Sequence, residues 1–163
     1  MSKKVLSILI LLLLPAGLLA FGSRSFGKAG PEQTAEVLLT QIAESSSAFA
    51  ADDADLPAWI EQLTTRYQPY FTKEALNRAF LQRSFTIFSA AFPEFQGEIT
   101  LEELNLERTA EASGDISLLG DLTTCYISRE GEAFSRSWIV QIRLVKEEQT
   151  WLVTYLDISP VHS

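Results

Sequence analysis

Two aspartates, Asp121 and Asp157, are the carboxylates whose positions in strand-like segments suit acid–base chemistry. A carboxylate acts as a general base near neutral pH when an apolar pocket raises its pKa, and a donor opposite it must stabilise the developing oxyanion. Tyr70, Tyr126 and Tyr155 could supply that donor. Strand parity leaves open which of these side chains point inward, and aspartate is rarely buried without a partner. We therefore expect both aspartates at strand edges or on a solvent face.

The sequence lacks the residues that nucleophilic catalytic sites, metal sites and internal disulfides require. The only histidine, His162, stands next to the last residue of the sequence, so no Ser-His-Asp or Cys-His arrangement is evident. One cysteine, one histidine and the short acidic run at residues 52–55 predict no metal site, and no nucleotide motif indicates a cofactor. Cys125 has no partner for an internal disulfide. We expect a buried thiol in a strand, with an intermolecular or reactive thiol as the alternative.

Aromatic and large apolar side chains offer a second kind of site, a binding surface. A helix predicted from Thr72 to Pro93 carries four such residues in one stripe at spacings of 4, 3 and 4, beside a second apolar stripe. Burial on two sides explains this pattern structurally, whereas a stripe kept for a ligand or partner explains it functionally. Two tryptophans on neighbouring predicted strands allow the same two explanations. The candidate binding residues are Leu81, Phe85, Phe88, Phe92, Trp138 and Trp151.

The charge of the chain restricts its partners. It has 163 residues, with 13 Lys and Arg against 21 Asp and Glu. Without Lys3 and Lys4, the part after Gly22 has 11 basic and 21 acidic residues, a formal charge of −10. Nucleic-acid binding needs a basic stripe that replaces counterions, and the basic residues here are scattered singly among acidic ones. We expect no nucleic-acid partner, but a protein partner or a small apolar ligand.

An apolar segment from Val5 to Phe21 follows the two lysines, which is typical of an export signal whose positive end stays in the cytoplasm. Seventeen helical residues span about 26 Å, slightly less than a hydrocarbon core of about 30 Å. Residues 1–22 are therefore either a signal anchor or a signal peptide cleaved near Gly22, and the sequence leaves both open. In either case we expect the rest of the chain to be extracytoplasmic, as a single-pass membrane-anchored or a secreted protein.

The remaining sequence predicts one α+β domain. Residues 23–30 are typical of a linker, and residues 31–163 have the length of a single domain. Apolar spacing predicts helices over about 31–50, 56–68 and 72–93. From Glu98 onward the period changes to two, which predicts four strands with a bulge near Glu102-Glu103. Helices followed by strands predict N-terminal helices packed on one face of a bent antiparallel sheet of four or more strands.

This order of elements resembles the nuclear-transport-factor-2-like superfamily, also called cystatin-like, over residues 31–158. The segments QPYFTKEAL (Gln68 to Leu76) and TWLVTYLDI (Thr150 to Ile158) carry the resemblance, although no separate strand is evident between the second and third helices. The resemblance implies an exported bacterial type, with a membrane segment and a linker ahead of a non-catalytic module of an envelope or transfer complex. It also implies an alternative, because the superfamily contains isomerases and dehydratases. That alternative is a small pocket enzyme with Asp121 or Asp157 as base.

Overall fold

The computed structural model of the chain describes residues 30–50 and 56–161. The predicted apolar segment, nearly all of the predicted linker, the acidic run and His162 lie outside these residues. Within the described part, no helix is both long and apolar enough to cross a membrane.

Helices come first along the chain and strands follow. The helices are α1 (Pro31–Ala50), α2 (Leu56–Tyr67), α3 (Lys73–Leu81) and α4 (Ile87–Ala90), with 3-10 turns at Gln68–Tyr70 and Ser84–Thr86. The strands are β1 (Gly97–Ala112), β2 (Asp115–Ser128), β3 (Ala133–Glu147) and β4 (Thr150–Pro160). These strands form an antiparallel sheet in the order β1-β2-β3-β4, so β1 and β4 are its edges. The predicted α+β class is confirmed, and so is the bulge, since the pairing register shifts between Leu101 and Glu103.

One face of the sheet packs against the helices, and we call it the inner face. Alternate side chains of β2 and β3 are buried there, such as Leu118 and Leu122 of β2 and Val140 and Ile142 of β3. Helix α1 contributes the fully buried Leu38, Leu39 and Ile42 to the same core. The apolar side chains that recur every second residue in the strands and every 3.6 residues in α1 therefore pack in one apolar layer.

The prediction of one helix from Thr72 to Pro93 is wrong. Thr72 does cap α3, because its Oγ1 accepts a hydrogen bond from the amide of Ala75 at 3.4 Å. However, α3 ends at Leu81, and Arg83 takes a left-handed conformation with φ of 57°. This residue redirects the chain, so the residues beyond it do not continue the face of α3. The spacing of 4, 3 and 4 consequently does not define one stripe.

The two segments that carry the family resemblance are neighbours in the structure. Phe71 forms an isolated parallel bridge with Val153 of β4, and the amide of Thr72 donates to the carbonyl of Val153 at 3.1 Å. The chain between α2 and α3 therefore pairs with the sheet through this bridge. This contact anchors the N-terminus of α3 against edge strand β4.

Candidate binding surface

Both candidate catalytic aspartates lie on the outer face of the sheet, the face opposite the helices. Asp121 is exposed and pairs with the exposed Ile139 of β3. Asp157 is also exposed, and its carboxylate accepts a hydrogen bond from the Ser159 hydroxyl at 3.1 Å. The expectation of solvent-face aspartates is confirmed. Among the described residues, no Asp or Glu side chain is buried, so none supplies the desolvated carboxylate that the enzyme alternative requires.

The single thiol also belongs to the outer face. Cys125 lies in β2, as predicted, but it is half-buried rather than buried, because its neighbours Thr124 and Tyr126 occupy the inner face. In the part of the chain that the structure describes, no three His, Cys, Asp or Glu side chains are grouped so that they could hold a metal ion.

Three of the six candidate binding residues lie in the core. Phe85 stacks on Tyr67 with ring centroids 4.1 Å apart, and Phe88 meets Trp138 edge to face at 5.0 Å. All four rings are at most 2% exposed. The Trp138 indole Nε1 donates to the Thr124 hydroxyl at 2.8 Å, which satisfies its polar atom inside the core.

The other three candidates are separated on the surface. Leu81, at the end of α3, is 85% exposed. Trp151, at the start of β4, is half-buried, with the Lys146 ammonium 5.8 Å from its ring centroid. Phe92 is half-buried beyond α4, where it joins other aromatic rings. The structure therefore does not bring the six predicted residues together, and only Phe92 belongs to a larger surface cluster.

That cluster, which we call the aromatic surface, consists of Phe92, Phe95, Phe134 and Arg136, with Tyr126 beneath them. Tyr126 and Phe134 face each other across β2 and β3, and their rings stack at 4.8 Å with planes 2° apart. Phe92 meets Phe134 edge to face at 5.3 Å, and Phe95 meets Tyr126 at 5.2 Å. The strand pair thus provides a rigid stacked pair, and the segment after α4 places two further rings against it.

Tyr126 is buried beneath the aromatic surface, whereas Phe134 and Arg136 are exposed. The Tyr126 hydroxyl donates to the Phe88 carbonyl at 2.9 Å, and burial raises the pKa of Tyr126 to about 12, so the phenol stays neutral. Phe134 is 39% exposed. The exposed Arg136 guanidinium carbon lies 5.2 Å from the Phe92 ring centroid and 6.0 Å from that of Phe134. A surface that combines exposed ring area with an arginine can bind another protein, because these residue types dominate interface energetics.

Sequence reasoning missed Phe95, Phe134 and Arg136. The available signal was the parity of β3, since Phe134, Arg136 and the buried Trp138 alternate on one face. The alternation of residues along β3 predicts that Phe134 lies on the inner face. It does not show that the helices end before they cover Phe134, which leaves part of its ring exposed.

No protein-family model and no curated protein matches the chain. Among solved structures, it is similar to CagV, a VirB8 homologue of a T4SS from Helicobacter pylori, with a TM-score of 0.50 and 14% identity over 79% of this chain and 98% of that one. It is also similar to a periplasmic fragment of TraM, with a TM-score of 0.46 and 12% identity over 82% of this chain and all of that one. The intermembrane space region of the chloroplast protein ARC6 matches with a TM-score of 0.42 and 15% identity, over 82% and 99% of the two chains. At these identities the likeness to CagV supports the fold alone.

Proposed function

We propose that the chain is a non-catalytic, extracytoplasmic binding module of the nuclear-transport-factor-2-like superfamily, which engages a protein partner in an envelope or transfer complex. The single observation that carries this proposal is the aromatic surface, where Phe134 keeps 39% of its area exposed beside Arg136. Arginine and aromatic side chains are enriched at protein interfaces relative to the rest of the surface.

Two further observations support the assignment to an envelope complex. The basic start and the apolar segment at residues 5–21 are typical of export, either with a retained single-pass anchor or with cleavage near Gly22. The fold is similar to that of CagV, which is itself a VirB8 homologue of a T4SS. From the two observations together we infer that this domain lies outside the cytoplasmic membrane and contacts other proteins of a complex.

A pair of surface variants tests this function in the full-length chain. Phe134→Ser removes an exposed ring of the aromatic surface, and Ile139→Ser removes a 46% exposed side chain from the outer face of the same strand. The tagged proteins are purified from membranes under mild conditions, and the proteins that accompany them are identified.

We expect Phe134→Ser to lose a specific companion protein that Ile139→Ser and the unaltered chain retain. Truncation of a hot-spot residue at the centre of an interface costs about 2 kcal/mol or more, which is about a thirtyfold loss of affinity. An unchanged set of companions in Phe134→Ser would contradict the aromatic surface as the contact. Each variant's melting temperature is measured beside the capture, so that unfolding is recognised.

A further inference from the structure

Among the described residues, one side chain, that of Ser47, hydrogen-bonds to the backbone on the free edge of β1. Ser47 of α1 accepts a hydrogen bond from the Ile99 amide at 2.7 Å and donates one to the Ile99 carbonyl at 3.0 Å. Because the backbone groups of a strand point to alternate sides, Leu101 presents its amide and carbonyl on the same free edge. Within the described residues, no hydrogen bond from a helix, loop or side chain reaches those groups of Leu101.

The same edge continues beyond the bulge. Leu104 and Leu106 pair with Leu122 and Gly120 of β2. The partners of Ile99, Leu101, Leu104 and Leu106 are therefore every second residue of β2. The backbone groups of Leu104 and Leu106 consequently also point away from the sheet. The unpaired edge from Leu101 to Leu106 is about 17 Å long at about 3.4 Å per residue, which is enough for an extended segment of about six residues.

A groove accompanies this edge between β1 and α1. One part, of about 450 Å³, is lined by Glu32, Glu36 and Thr40 of α1 and by residues 101–104 and 106 of β1. A second part, of about 590 Å³, is lined by Thr40 and residues 43, 44, 47 and 48 of α1 and by residues 97–101 of β1. The two parts share Thr40 and Leu101, so they form one continuous feature, which we call the edge groove.

Contacts at both ends of the edge groove join α1 to β1. At one end, Arg108 of β1 pairs with Glu32 in the first turn of α1, and its side-chain hydrogen bonds hold the pKa of Glu32 below its usual value. At the other end, Ser47 binds the backbone of Ile99. A site that is already formed costs less conformational entropy on binding than one that must be ordered.

The chemistry of the edge groove defines its occupant. Leu101, Leu104 and Leu106 give it a half-buried apolar wall, and the exposed Glu36 and Glu103 add negative charge at its rim. None of the described residues that line its two parts is basic. An extended segment with apolar side chains on one side and Lys or Arg on the other would match both features.

We propose that the edge groove binds an extended, basic segment of a partner protein, which adds to the sheet as a strand beside β1. This inference rests on the proposed function, because it assigns a partner chemistry to the same binding module. A second copy of this chain is a poor occupant. Its own β1 carries Glu98, Glu102, Glu103 and Glu107, so pairing two such strands would place like charges opposite each other.

A synthetic eight-residue peptide with alternating valine and lysine is the probe. Nuclear magnetic resonance of the full-length chain follows the exchange of single amides with and without the peptide. We expect the amides of Leu101, Leu104 and Leu106 to exchange at least tenfold more slowly when the peptide is bound. The amides of Thr100 and Asn105 point to β2 and should change little.

Three controls separate strand addition from simple charge attraction. The same peptide with glutamate in place of lysine should bind at least tenfold more weakly. A lysine peptide with methylated alternate amides keeps its charge but loses donors to β1, and it should also bind at least tenfold more weakly. Glu36→Lys should weaken binding of the lysine peptide about fivefold, whereas Glu61→Lys, an equal charge change on the exposed face of α2, should change it less than twofold.

The outcomes decide between occupants. No protection of the three leucine amides by the lysine peptide, or equal binding of all three peptides, would overturn the proposal. Protection that appears without peptide and grows with protein concentration would overturn it in favour of a second copy. Failure here leaves the capture experiment on Phe134 unaffected, because that experiment tests a different surface.

Discussion

Truncation of Phe88 and of Phe134 should separate a core residue from a surface residue of the same aromatic region. The Phe88 ring is fully buried against Trp138, and the Phe88 carbonyl accepts the hydrogen bond of Tyr126. Replacing a buried phenylalanine by alanine costs about 3–5 kcal/mol, because the lost burial is combined with an unfilled cavity. We expect a loss of this size in the free energy of unfolding of Phe88→Ala.

Phe134→Ala should lower the free energy of unfolding less than Phe88→Ala does. Full burial of a phenylalanine side chain is worth about 1.5–3 kcal/mol, so the three-fifths of this ring that are buried contribute about 1–2 kcal/mol. Its stacking on Tyr126 adds up to about 1 kcal/mol. We therefore expect Phe134→Ala to lose about 2 kcal/mol, with no closed cavity left behind.

Thermal unfolding of the full-length chain measures the difference. At about 4 °C per kcal/mol, the midpoint should fall by about 12–20 °C for Phe88→Ala and by about 8 °C for Phe134→Ala. Urea unfolding, whose midpoint follows stability at constant slope, provides an independent check. Equal losses in the two variants, or a larger loss in Phe134→Ala, would refute the division between core and aromatic surface.

Three further predictions test the fold. Gly120→Ala should lose at least about 2 kcal/mol in urea unfolding, because an added Cβ would lie 1.8 Å from the Asn105 carbonyl oxygen; a neutral result would contradict the β1–β2 packing. Arg83→Gly should gain up to about 1 kcal/mol, since glycine adopts the left-handed conformation without strain, and a loss would argue against the break after α3. Burial raises the pKa of Tyr67 and Tyr126 to about 12 from an ordinary value near 10, so the folded state retains protons that the unfolded state loses. Stability should be unaffected by these groups below pH 10 and fall between about pH 10 and 12, which ultraviolet titration with parallel circular dichroism would show; ionisation of both phenols near pH 10 in the folded protein would contradict their burial.

The order and type of the elements could be predicted because their apolar patterns are regular. Leu38, Leu39 and Ile42 recur at helical spacing in α1, and all three are fully buried. In β3, Val140 and Ile142 alternate with exposed or half-buried neighbours, as a strand with one buried face requires. These signals are local, so a single sequence suffices to find them.

The break after α3 could not be predicted from such signals. Neither glycine nor proline marks it, and the left-handed residue is Arg83. The apolar residues on both sides of the break keep an apparent helical spacing, although Phe85 and Phe88 are fixed by tertiary contacts with Tyr67 and Trp138. Tertiary packing thus overrides the local pattern at this position.

The aromatic surface depends on strand register, which the sequence specifies poorly at this hairpin. Residues 129–132 connect β2 and β3, the Ser128 amide donates to the Glu132 carbonyl at 2.8 Å, and Gly131 has φ of 86°. A one-residue change in register decides whether Tyr126 faces Phe134 or its neighbour. Exposure of Phe134 further depends on where the helices end, which is a property of the whole fold.

Site-specific photo-crosslinking tests the central claim most directly. A photoreactive phenylalanine analogue is placed at position 134 of the full-length chain, and at position 139 on the outer face as the control. If Phe134 contacts a protein partner, irradiation of cells should give one discrete crosslinked product at position 134 that is absent at position 139. No product at position 134, or the same products at both positions, would contradict a partner-binding role for the aromatic surface.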